Sequence, residues 1–108
     1  MPRTVGAWLA GRTPPPPDLL RVRINAALGD DAKRGVADTE VVCLDAAERV
    51  LARLFSDGFA GRKDAPDLLA ADALVTYALE FAANTPSEFA TRATSAILRL
   101  GELSSVSA

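Results

Sequence analysis

The chain is 108 residues long, 49% apolar and 24% charged, with a formal net charge of −2. That length allows one domain around one core, and the charge gives no general electrostatic case for nucleic acid, which calls for a clustered basic face. With no histidine, the chain lacks the side chain most used for acid–base work near neutral pH and for binding transition metals, and the solitary Cys43 excludes an intramolecular disulfide.

The charge is unevenly placed. Residues 1–37 carry six basic and three acidic groups, whereas residues 38–108 carry six basic and eleven acidic ones, so a mildly basic arm precedes an acidic body. The arm is expected to dock on its own or a neighbouring acidic body; a nucleic-acid role through Arg3, Arg12, Arg21 and Arg23 would have to show salt-dependent binding. The apolar stretch Val5 to Ala10 is too short for a signal-peptide core or a membrane span. A cytoplasmic location, with no membrane partner, is therefore expected. Arginine far outnumbers lysine and alanine is the commonest residue, which hints at a GC-rich bacterial genome.

Thr4 can cap a short helical turn through Val5, Trp8 and Leu9, which Gly11 would end in the left-handed conformation. So short a turn cannot hold alone, so Trp8 must pack either on the body or on a partner. The run Pro14 to Pro17 follows as a stiff polyproline II spacer. Asp18 can cap the next helix, whose buried stripe is Leu20, Ile24, Ala27 and Leu28 and whose stop is Gly29. Residues 30–37 read as a polar loop.

Asp38 or Thr39 begins a long helix running to about Asp57. Cys43, Ala47, Val50 and Leu54 form its buried stripe, widened by Leu44, Leu51 and Phe55. Asp45, Arg49, Arg53 and Asp57 stand four apart, an exposed line of opposite charges one turn from each other. Gly58 ends the helix, and a Schellman stop there would pack Phe59 back on Leu54.

Asp64 and Pro66 mark the start of a helix reaching about residue 84, the least polar segment of the chain. Its residues Ala71, Val75, Ala78 and Ala82 predict a shallow groove for another helix, with Leu68 and Leu79 on one side and Leu74 and Phe81 on the other. Thr85, Pro86, Ser87 and Glu88 form a capping box that opens a final helix. That helix is expected to bury Phe89, Ala93, Ala96, Ile97 and Leu100, with Glu88, Arg92, Ser95 and Arg99 on its wet side.

The stretch from Leu68 to Ala78 is similar to a helix of polyprenyl diphosphate synthases. The aspartate-rich magnesium motifs of that family have no counterpart here, so the resemblance implies no catalytic role.

The predicted fold is all-α: an up-and-down bundle of four helices at about 18–29, 38–57, 65–84 and 86–101. A short helical arm, joined by the proline-rich spacer, lies across it. The organisation expected is an arm and spacer at 1–17, the bundle at 18–103, and a frayed tail at 104–108.

For function, the composition favours a small non-catalytic interaction or assembly protein, self-associating as a homodimer or docking on a larger protein. Trp8, Leu9, Leu74 and Phe81 are the expected partner contacts. A second reading is a ligand-binding bundle or minimal enzyme in which Asp72, Thr76, Tyr77 and Glu80 face an internal cavity; steps of four put Asp72, Thr76 and Glu80 on one helix line. No catalytic residue, metal site or cofactor is expected, and Cys43 belongs to the core.

Overall fold

A computed structural model describes residues 2–59, 61–83, 94 and 97–101. Four helices are defined within them: α1 Val5–Ala10, α2 Asp18–Leu28, α3 Thr39–Asp57 and α4 Ala65–Ala83. Two 3₁₀ turns, Gly29–Lys33 and Val36–Asp38, fill the segment expected to be an irregular loop. Residues 97–101 are helical as well. Among the described residues there is no strand, only a single antiparallel bridge between Thr4 and Gly35. The capping box at 85–88, most of the final helix expected at 86–101, and the tail at 104–108 lie outside the described residues.

The core is built on α3 and α4, which share the most extensive helix–helix interface. Arg53 near the end of α3 pairs with Asp67 near the start of α4, and Cys43 near the start of α3 lies close to Tyr77 near the end of α4. Those two contacts make the helices antiparallel. Ala46 and Ala47 of α3 and Ala70, Ala71, Ala78 and Ala82 of α4 are all buried, and side chains this small let two backbones approach closely. Leu74, Val42 and Cys43 fill the space between, each with no exposed surface. Burying a leucine or valine so completely contributes about 1.5–3 kcal/mol.

α2 packs on both α3 and α4 through Ile24 and Leu28, with Leu20 and Ala27 half-buried beside them, which is the expected stripe. Its last turn is capped from outside: Arg49 of α3 donates to the Ala27 carbonyl at 3.0 Å, where a cation satisfies an orphan acceptor and opposes the helix dipole. Asp18 does not cap α2; Pro17 takes that position and Asp18 pairs with Arg21 one turn on.

The arm is fixed to the body by backbone pairing. The amide of Val5 donates to Arg34 O and that of Val36 to Arg3 O, while Thr4 caps α1 by accepting from the Ala7 amide, as expected. Gly6 lies so near the first 3₁₀ turn that a Cβ there would stand 3.2 Å from the Ala32 carbonyl oxygen. Val5 is completely buried and Trp8 is 5% exposed.

Four local expectations need correction. Gly11 is right-handed (φ −86°), because α1 ends through bonds from its own amide to Leu9 and Trp8 rather than by reversal. Gly58 does take positive φ, but with ψ 114° the chain leaves extended instead of closing a Schellman stop, and Phe59 is half exposed. Phe55, expected to widen the buried stripe of α3, is also half exposed. Ile97, expected in the core, is 68% exposed, while Arg99, expected on the wet side, turns inward onto α3 to pair with Asp45 and Glu48.

Burial pushes the Cys43 thiol from 9.0 up to about 12. The thiol is then protonated in the fold at neutral pH, and stability falls as pH rises from 9 towards 12, because the unfolded chain loses that proton first. Cys43 should resist iodoacetamide in the folded protein at pH 8 and react readily in denaturant; rapid alkylation without unfolding would show that the α3–α4 interface opens.

Candidate functional site

The residues singled out from the sequence divide between the interior and two parts of the surface. Trp8 meets Tyr77 and Phe81 of α4 edge-on, with ring centroids 6.5 Å and 5.4 Å apart, and the Arg12 guanidinium covers its face at 4.0 Å. Each such aromatic or cation–π contact adds about 0.5–1.5 kcal/mol beyond the area it buries. Trp8 therefore packs on its own chain. Of the other residues expected at a partner contact, Leu74 is wholly buried, while Leu9 and Phe81 are half-buried around Trp8.

The second group separates. Asp72, Thr76 and Glu80 lie along the exposed side of α4, and Thr76 returns its hydroxyl to the Asp72 carbonyl at 3.0 Å. Tyr77 lies off that line, beside Glu80 but half-buried against the arm. Burial, aided by the Glu80 carboxylate and the Cys43 sulfur, raises its hydroxyl above the usual tyrosine range, and Arg12 works in the opposite direction. The three residues on the exposed line thus do not share an internal cavity with Tyr77.

The exposed side of α4 carries a feature that hydropathy alone did not single out. Leu68, Leu69 and Leu79 are 42%, 57% and 39% exposed, while Ala70, Ala71, Ala78 and Ala82 of the same helix are inside. Asp72 and Glu80 stand among these leucines and form no ion pair among the described residues. α4 contains no basic residue. Its remaining acid, Asp67, is held by Arg23 of α2 at 3.2 Å and Arg53 of α3 at 3.1 Å.

A cleft of about 300 Å³ opens where α1, the proline spacer, α2 and α4 meet. Leu9, Pro16 and Ile24 supply apolar wall, and Arg21, Asn25 and Tyr77 bring polar groups to it. No sequence motif marks this cleft, because its walls come from four separate segments.

Of the basic residues near the N-terminus, Arg12 of the arm is stacked on Trp8, while Arg21 and Arg23 of α2 pair with Asp18 and Asp67. Among the described residues no group of three or more histidine, cysteine, aspartate or glutamate side chains is placed to hold a metal ion, and no helix is long and apolar enough to cross a membrane. No protein-family model, curated protein or solved structure matches this chain.

The two groups of residues should respond differently to substitution. Trp8→Ala is expected to cost roughly 3 kcal/mol, the low end for truncating a buried large aromatic, measured by chemical denaturation. Asp72→Asn and Glu80→Gln should each change stability by less than about 0.5 kcal/mol, as for an exposed face. A clear rise in melting temperature for either would identify carboxylates held in a strained, preorganised site.

Proposed function

We propose that this is a small non-catalytic interaction protein that docks, through the exposed side of α4, on an amphipathic basic segment of a larger protein. One observation carries the reading: α4 buries Ala70, Ala71, Ala78 and Ala82 beside Leu74 but leaves Leu68, Leu69 and Leu79 exposed, so much of its larger apolar area is not covered within this chain. A leucine surface is worth keeping outside where a partner covers it.

Charge selects the kind of partner. Asp72 and Glu80 lie between the leucines with no basic residue on the helix, so a segment with an apolar stripe flanked by lysine or arginine is complementary to it. A second copy laid on the same side would bring four carboxylates together, which disfavours a homodimer through this surface. The engagement of Arg12 on Trp8 and of Arg23 with Asp67 within the chain supports a protein partner over nucleic acid.

We further infer that a helix at 86–101 completes an up-and-down bundle along α3. The contacts of Arg99 with both Asp45 and Glu48 support that placement. A cytoplasmic location fits a chain whose lone cysteine is a buried free thiol.

The test uses two synthetic helical peptides with the same leucine stripe, one flanked by lysine and one by glutamate, titrated into the protein by calorimetry. The lysine peptide should bind and the glutamate peptide should not. The double substitution Leu68→Gln, Leu79→Gln should weaken binding by about tenfold or more with the melting temperature unchanged. Equal binding of both peptides, or no effect of the double substitution, overturns the reading. Light scattering across a tenfold concentration range should give a monomer, whereas a stable dimer would assign the leucines to a self-interface.

A further inference from the structure

We propose that the cleft between the arm and α2 binds a small monocarboxylic acid with an apolar aliphatic or aromatic body, its carboxylate on Arg21 and its body against Leu9, Pro16 and Ile24. A volume of about 300 Å³ is at the small end of ligand pockets and suits a molecule of about ten non-hydrogen atoms. Most of the lining is apolar, and its polar groups are few, as in a site that fixes orientation with a small number of contacts.

Arg21 is the sole charged residue in the lining, and Asn25 and Tyr77, both with side chains able to donate, line the cleft with it. A guanidinium offers paired N–H groups in the geometry of a carboxylate. Arg21 is at present paired with Asp18 at 3.2 Å, but the two side chains are 58% and 94% exposed. A pair so open to water is held weakly, so a better-covered carboxylate can replace Asp18. Burial raises the Tyr77 hydroxyl above the usual tyrosine range, so it is protonated and able to donate at neutral pH, where the acid is ionised.

The cleft depends on the arm for half of its wall. Leu9 and Pro16 are in place because Trp8 is seated on α4 and Val5 pairs with Arg34. A ligand there would bridge the arm to the body and favour the docked state. Trp8, the only tryptophan, packs directly on Tyr77 and reports on that contact.

The experiment titrates phenylacetate, hexanoate and the neutral phenylacetamide into the full chain, following Trp8 fluorescence and heat. Saturable binding of at least one acid, with the amide and the Arg21→Gln variant each weaker by roughly 10- to 100-fold, is expected for loss of a charge-assisted hydrogen bond. The Leu68→Gln, Leu79→Gln variant should bind the acid as the parent does, which separates this site from the docking surface of α4. The absence of saturation up to about 10 mM, equal binding of acid and amide, or no effect of Arg21→Gln would each overturn the proposal.

Discussion

The close approach of α3 to α4 is the constraint on which the rest of the structure depends. Six alanines, Ala46, Ala47, Ala70, Ala71, Ala78 and Ala82, make that approach possible, but alanine removes little apolar area from water. A core of this kind in a small chain needs bulkier groups from elsewhere. They come from Val42, Leu54 and Leu74 between the two helices, from Ile24 and Leu28 of α2, and from Val5 and Trp8 of the arm. The arm is for that reason a structural part of the body: it delivers a large aromatic side chain to a core otherwise made of aliphatic ones.

The ionic contacts serve the same assembly by joining elements at their margins. Asp67 ties α4 to both α2 and α3, Arg49 ties α3 to the end of α2, and Arg99 brings the 97–101 segment to α3. The Asp45, Arg49, Arg53 and Asp57 line expected to pair with itself along α3 instead sends three of its four charges to other elements, to Arg99, Asp31 and Asp67. Helix-internal spacing permits such pairs but does not select them. Partners from neighbouring segments win where they also approach a carbonyl or a second carboxylate, as Arg49 and Arg99 do. The exposed pairs contribute little stability each; their consequence is to set which faces meet.

Packing small residues inward leaves α4 with leucines outward, and this inversion is what gives the molecule a surface with a direction. Leu79 and Tyr77 are two residues apart and so point to opposite sides of the helix. One side carries leucines and the exposed Asp72 and Glu80 to solvent, and the other meets the arm and the cleft beside α2. An exposed acidic–apolar surface and an arginine-bearing cleft are different chemistries, and the fold keeps them on separate faces of one helix.

The sequence by itself determined the helices. Capping at Thr4, the stop after Leu28, the beginning near Asp38 and the Cys43, Ala47, Val50 and Leu54 stripe all follow from local bonding and period, and the boundaries of α3 and α4 lie within about one residue of those predicted. Periodicity marked the Ala71, Val75, Ala78 and Ala82 groove as the place for another helix, and Ala71, Ala78 and Ala82 are buried; what it could not decide was which of the leucines flanking that groove would be covered, because alanine and leucine carry the same sign on a hydropathy scale. Only packing separated them: Leu74 is wholly buried beside the alanines, while Leu68, Leu69 and Leu79 stay exposed. The destination of Trp8 was likewise open, since a tryptophan on a short arm suits a partner as well as its own body. Tertiary structure settled it by placing Tyr77, Phe81 and Arg12, distant in sequence, around one ring.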